Sequence, residues 1–217
     1  MKELKLRPIK VYKNEKITDD TSLMSFPRDF DFSPGQVLGI THDPNLTPRM
    51  YSICSGKTDE HVEILYKIVT HGAITPPISL LNPNDQIYIT QPYGRFFGTN
   101  SPAYLISNGT GIAPFISYLR SGMQTGKTII HGAQDINHCY FKEYLATLHE
   151  IKYIQCLSRQ EQSGTFFGRL TCYLELAELE KDALFFLCGS NEMVIEAREI
   201  LLSKGIHFGN IHCEIYF

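Results

Sequence analysis

The sequence predicts a two-domain β + α/β protein, an antiparallel β-barrel over residues 1–100 followed by a parallel α/β domain over residues 101–217. Two observations carry this reading. Short runs rich in β-branched and aromatic residues, broken by turns containing Pro, Gly, Asn or Asp, fill the first part. Beyond Asn100-Ser101-Pro102, strand-like and helix-like segments alternate strictly, the pattern of a parallel sheet with helices on both faces.

In the first part the strand-like runs are 5–12, 23–26, 37–41, 49–53, 62–69 and 86–91. Ser33-Pro34-Gly35, Asp43-Pro44-Asn45 and Asn82-Pro83-Asn84-Asp85 supply turns. Strands this short and this closely spaced suit a small barrel. One helix is predicted over 76–81, where proline fits the first turn. In the second part the strands are 103–107, 128–133, 153–157, 184–188 and 211–215, and the helices 113–120, 141–150, 173–179 and 192–204. Ligands of such sheets bind beyond the carboxyl ends of the strands.

The 217 residues are 43% hydrophobic and 20% charged, enough to bury a substantial core. A formal net charge of −3, with no run of Lys or Arg, argues against nucleic acid as a partner. Residues 1–10 alternate charged and apolar side chains rather than forming the apolar core of a leader. The longest apolar stretches, such as 183–188, are strand-sized, so no membrane insertion and a cytoplasmic location are expected. Six cysteines are scattered without a CxxC pair or metal-like spacing, which predicts free thiols and no metal centre.

Four segments carry chemistry. In Arg49-Met50-Tyr51-Ser52, strand alternation sends Arg49 and Tyr51 to one side and Ser52 to the other. A guanidinium beside an aromatic ring suits a cofactor with phosphates at one end and a flat ring system, although an ordinary strand with an exposed Arg has the same pattern. Gly72, Ala73, Ile74 and Thr75 lead into the helix at 76–81, offering backbone N–H groups and a hydroxyl to an anion. An N-capping Thr after a turn is the alternative there. Gly109, Thr110 and Gly111 open the first β–α crossover, where glycines let the backbone approach a pyrophosphate and Pro114 fits the first helical turn. The spacing lacks the full GxGxxG pattern. Finally, Cys188-Gly189 ends a strand at the same sheet edge and sets a thiol beside any ligand bound there. For Cys54 and Cys156 a buried packing role is the better reading.

In this order the segments resemble the ferredoxin/flavodoxin–NADP reductase family. Gly94-x-Phe96 at the domain junction, Met193-Val194 after Cys188-Gly189, and the terminal His212-Cys213-Glu214-Ile215-Tyr216-Phe217 add to the likeness, which covers nearly the whole chain. Met50 departs from it, standing where the family usually has proline. The resemblance implies an FAD-binding β-barrel followed by a Rossmann-like domain for NADP(H), with the flavin between them. It implies that Tyr51 stacks on the isoalloxazine, Arg49 and residues 72–75 hold the FAD pyrophosphate, and Ser52 lies near flavin N5. It also implies that Cys188 and Glu214 lie near the nicotinamide, Tyr216 covers the flavin, and Phe217 lies close to the FAD adenosine.

Ser158-Arg159, followed by Arg169, resembles the family's site for the 2′-phosphate of NADP, with a hydroxyl and two charge-assisted forks. An NAD enzyme would place an acidic residue at that strand end for the ribose hydroxyls. The expected reaction is hydride transfer between nicotinamide C4 and flavin N5, coupled to ferredoxin or flavodoxin as one-electron carrier. The alternatives are an NAD(P)H:flavin or quinone reductase and an electron-transfer subunit of a larger complex. No catalytic triad is needed, and His71, His131 and His212 are read as structural.

Overall fold

The structure, a computed structural model, describes residues 5–216; Phe217 lies outside them. The described chain forms two compact units. One runs to Gly98 and takes in Ala113–Gly122; the other comprises Thr99–Ile112 and the chain from Met123 onward.

Strands β1 (Arg7–Lys10), β2 (Lys13–Thr18), β3 (Thr21–Pro27), β4 (Val37–Thr41), β5 (Arg49–Ser52), β6 (His61–Lys67) and β7 (Gln86–Ile89) build the first unit, with a short helix α1 (Thr75–Ser79) before β7. They form antiparallel sheets ordered β1-β7-β4-β5 and β2-β3-β6, joined by a bridge between Ile53 and Ile64. Inward residues of both sheets share one core, including Met24, Phe26, Leu38, Ile40, Ile64 and Ile87, and α1 adds Ile78 to it. Helix α2 (Ala113–Arg120) groups with this unit through its hydrogen bonds. Ser117 Oγ donates to the Ser55 carbonyl at 2.7 Å, the Tyr118 hydroxyl donates to the Phe96 carbonyl, and Arg120 pairs with Glu63. Gly35, at φ +91°, lets the Phe96 carbonyl come so close that an added Cβ would stand 1.8 Å from its oxygen.

The second unit has a six-stranded sheet of β8 (Ala103–Asn108), β9 (Lys127–Ala133), β10 (Ile151–Leu157), β11 (Phe166–Phe167), β12 (Leu184–Ser190) and β13 (Ile211–Tyr216), with helices α3 (Lys142–Ala146), α4 (Leu170–Leu176) and α5 (Asn191–Ser203). All its pairings are parallel, in the order β11-β10-β9-β8-β12-β13. Ile106, Ile130 and Leu187 from the sheet pack with Leu174 of α4 and Val194, Ala197 and Leu201 of α5. The chain leaves β8 toward β9 and later returns to its other side at β12. That reversal opens a crevice at the strands' carboxyl ends, the place such sheets use for ligands.

Local differences from the sequence reading have physical causes. The reading drew the first strand over 5–12, longer than β1, and omitted β2, an edge strand whose residues are mostly exposed and carry no apolar alternation. Helix α3 is shorter than 141–150, since Phe141 adopts a left-handed φ of +60° before the helix begins. Helix α4 starts at Leu170 rather than 173, because its buried residues are Leu170, Thr171 and Leu174, with the two leucines one turn apart.

Candidate functional site

In the first unit Arg49 is exposed on β5, Tyr51 is half-buried and Ser52 is buried. Among the described residues Arg49 has no ion-pair partner. Tyr51 lies edge-on to Tyr66, with ring centroids 6.2 Å apart, and packs against the barrel core. Its hydroxyl oxygen is buried without a hydrogen-bond partner among the described residues. An unsatisfied buried hydroxyl costs on the order of 1–3 kcal/mol, so it marks a place where a ligand's polar group would be welcome. Burial and the neighbouring Tyr66 push its pKa up, keeping it a neutral donor.

Residues 72–75 form the turn into α1. The Gly72 backbone N–H donates to the Val69 carbonyl at 2.7 Å, and Thr75 Oγ1 accepts from the Val69 N–H at 2.8 Å. The hydroxyl thus holds the turn through its lone pair and keeps its proton to donate. Among the described residues the backbone N–H groups of Ala73, Ile74 and Thr75 have no hydrogen-bond acceptor. Three such donors beside the Tyr51 hydroxyl's unmet need fit a flavin dinucleotide with a pyrophosphate and a flat ring.

In the second unit the carboxyl ends of β8, β9 and β12 are tied together by polar side chains. Asn108 Nδ2 donates to Ser190 Oγ at 3.0 Å, and its Oδ1 accepts from the Ser190 N–H at 2.9 Å. His131 lies 3.1 Å through Nε2 from the Gly109 carbonyl and 3.2 Å through Nδ1 from the Tyr153 hydroxyl. A carbonyl only accepts, so Nε2 carries the proton and Nδ1 accepts from Tyr153. Burial pushes the His131 pKa down to about 4, which keeps the ring neutral. It is a structural histidine that steadies the glycine turn.

That turn, Gly109–Ile112, is a single 3-10 stretch. A Cβ on Gly111 would stand 2.3 Å from the Cys188 carbonyl oxygen, so only glycine lets the turn lie against the end of β12. Thr110 is half-buried beside it. Parallel register sets Ser107, Cys188 and Glu214 side by side across β8, β12 and β13. Burial first, then the Glu214 carboxylate, push the Cys188 thiol well above its ordinary pKa, while a hydrogen bond with Tyr216 works against them. Cys188 is therefore a neutral thiol and not a nucleophile. Ser107, which the sequence reading passed over, is buried with no partner for its hydroxyl among the described residues.

Ser158 and Arg159 follow β10, and Arg169 follows β11. Leu157 pairs with Phe167, so Arg159 and Arg169 each stand two residues beyond one register pair and share one edge of the sheet. Both arginines are exposed, and neither forms an ion pair among the described residues. Ser158 Oγ donates to the Ala133 carbonyl at a long 3.3 Å. The structure thus brings together Gly109, Thr110, Gly111, Cys188, Glu214 and Tyr216 on one side of the crevice and the two arginines at the far edge. No group of three or more His, Cys, Asp or Glu among the described residues is placed to hold a metal ion. No described helix is long and apolar enough to cross a membrane. All six cysteines are free, with Cys172 and Cys213 exposed.

Residues 8–97 match the model of the oxidoreductase FAD-binding domain, and residues 105–199 match that of the oxidoreductase NAD-binding domain. The toluate 1,2-dioxygenase electron transfer component of Pseudomonas putida is 25% identical over 195 residues, covering 84% of this chain and 58% of that protein. The chain thus spans less than two thirds of that component's length. The flavodoxin/ferredoxin–NADP reductase of Escherichia coli (strain K12) is 24% identical over 188 residues, covering 75% of this chain and 76% of that protein. A crystal structure of a ferredoxin NADP+ reductase from Neisseria gonorrhoeae with bound FAD and NADP superposes with a TM-score of 0.88 at 22% identity, covering 99% of this chain and all of that one. With both domain models in that order and that fold throughout, the chain belongs to the ferredoxin–NADP reductase family of oxidoreductases, which pair an FAD-binding domain with one for a nicotinamide nucleotide.

Proposed function

We propose that the chain moves electrons between NADP(H) and a one-electron protein carrier, ferredoxin or flavodoxin, with residues 1–100 holding FAD and 101–217 the nucleotide. The observation that carries the choice of NADP(H) is the pair of unpaired guanidiniums, Arg159 and Arg169, at one sheet edge. Two forks there suit a 2′-phosphate, and Ser158-Arg159 stands where an NAD enzyme would set an acid. The names of the P. putida component and the E. coli reductase support a protein as electron acceptor. A cytoplasmic location belongs to the same proposal, supported by six free cysteines.

Bound FAD supplies hydride exchange at N5 and release of electrons one at a time. The chain's own residues bind and orient. Tyr51 offers its ring as a stacking surface and its hydroxyl as a donor, with Arg49 and the N–H groups of residues 73–75 on the pyrophosphate and Ser52 near N5. Gly109, Thr110 and Gly111 let the backbone reach the nucleotide's phosphates. Cys188, as a neutral thiol, and Glu214 border the nicotinamide, and Tyr216 competes with it for the same space.

The test is a visible spectrum of the purified protein, then NADPH- and NADH-driven reduction of ferredoxin, flavodoxin and free flavin. The proposal expects a flavin spectrum and faster reduction of a protein carrier with NADPH. Reduction of free flavin or quinone alone would make the chain a flavin or quinone reductase. Activity only with a second subunit would make it an electron-transfer subunit.

A further inference from the structure

Strand β2, the most polar strand of the barrel, carries Asn14 with its side chain turned inward. Asn14 Nδ2 donates to the Ile78 carbonyl at 2.9 Å and to the Leu81 carbonyl at 3.1 Å, and its Oδ1 accepts from the Tyr66 hydroxyl at 2.9 Å. The amide's two protons therefore end on the last turn of α1 and just past its C-cap, and its oxygen ends on the hydroxyl of the tyrosine whose ring lies edge-on to Tyr51. Helix α1 is five residues long and contains two prolines, far too short to stand without tertiary support. Its hold on the barrel comes from buried Ile78, from Thr75 through its bond to the Val69 N–H, and from Asn14, which reaches it from β2.

We propose that Asn14 is a positioning residue for FAD, fixing residues 73–75 through α1 and the Tyr51 ring through Tyr66. The inference rests on the FAD site assigned above and adds what keeps its two parts in register. A pyrophosphate and an isoalloxazine are rigidly related within one cofactor, so the N–H groups that meet one and the ring that meets the other must keep a fixed separation. Asn14 bonds to the support of each. Both of its donors are taken by protein carbonyls and its oxygen accepts from Tyr66, so its part is to position the groups it bonds.

Two substitutions separate the arms. Asn14→Asp keeps the acceptor for Tyr66 but removes both donors to α1. Tyr66→Phe keeps the ring against Tyr51 but removes the proton that Asn14 accepts. Val62→Ala, a core truncation four residues away along β6, controls for general destabilisation. FAD-free protein is titrated with FAD, and amide hydrogen exchange is followed at residues 73–81. Asn14→Asp is expected to raise the Kd for FAD about tenfold and Tyr66→Phe about fivefold, with Val62→Ala within about twofold of the parent at a comparable loss of melting temperature. Exchange at 73–81 in the FAD-free protein should accelerate in Asn14→Asp and not in Val62→Ala. FAD affinity within about twofold of the parent in both variants, or an equal loss in Val62→Ala, overturns the proposal while leaving the FAD site intact. Should Asn14→Asp fail to fold, Tyr66→Phe decides alone by the same threshold. A parent protein that binds no FAD overturns the site assignment and this inference together.

Discussion

Asn108 and Ser190 exchange two hydrogen bonds across the carboxyl ends of β8 and β12, at 3.0 and 2.9 Å. Gly189 makes this possible, since a Cβ there would stand 1.9 Å from Asn108 Oδ1. The clamp holds the strand ends on either side of the glycine turn at the point where the sheet reverses direction. Asn108→Ala removes both bonds and is expected to weaken NADP+ binding about tenfold, with flavin content unchanged. Calorimetric titration of the purified variant checks it. A normal affinity for NADP+ would show that the clamp holds strands and not the nucleotide site.

Arg159 and Arg169 follow Leu157 and Phe167 by two residues each and stand at one edge of the sheet. Replacing both with alanine is expected to raise the KM for NADPH about tenfold or more and to leave NADH turnover nearly unchanged, because only NADPH carries a 2′-phosphate. Both side chains are exposed, so the difference should shrink as salt screens it. Steady-state kinetics with each nucleotide at low and high salt measures this. Equal loss with both nucleotides would assign the arginines elsewhere.

The fold was legible where periodicity is strong. Residues 37–41 and 113–120 were bounded correctly because each is a nearly continuous buried run, broken at most at its last residue. Strand β2 was invisible because edge strands owe their place to a neighbour's backbone and not to buried side chains of their own. The glycines at 109 and 111, Cys188 and the arginines could be singled out because their chemistry is written in their residue types. Asn108, Asn14 and Ser107 could not. An asparagine reads as a turn residue, and only the folded chain shows that Asn108 meets a strand 82 positions away or that Asn14 reaches a helix 64 positions away.

His131 makes stability depend on pH in a window of its own. Its pKa is about 4 in the folded protein, below the ordinary 6.5. Below pH 6.5 the unfolded chain takes up a proton that the folded ring refuses, so stability is fully present above that pH and is lost as pH falls toward 4. The loss is on the order of 3 kcal/mol. Asp20, Asp29 and Asp135 also have depressed pKa values, but their ordinary value is 3.8, so their contributions are lost at lower pH. Urea unfolding between pH 7 and 4.5 should show a slope that flattens in His131→Gln. An identical slope in both proteins would assign it to other groups.

Tyr216 stands opposite Ser190 in the β12–β13 register, and its side chain is hydrogen-bonded with the Cys188 thiol. It is half-buried at the crevice's end, unlike Ile211 at the start of the same strand, which is buried. A ring that is only half-buried at the strand's end can be displaced by a nicotinamide. The displaced stacking is worth roughly 0.5–1.5 kcal/mol, so Tyr216→Ser should tighten NADP+ binding roughly two- to tenfold and slow turnover by retarding release. Tyr216→Phe keeps the ring and loses the hydroxyl that bonds with Cys188, and should leave NADP+ affinity close to the parent's. If the side chain merely packs, Tyr216→Ser would lower the melting temperature and leave affinity alone. Equilibrium titration of the three proteins with NADP+, alongside thermal unfolding, distinguishes the cases: tighter binding in Tyr216→Ser but not Tyr216→Phe assigns the competition to the ring, and unchanged binding in both assigns Tyr216 to packing.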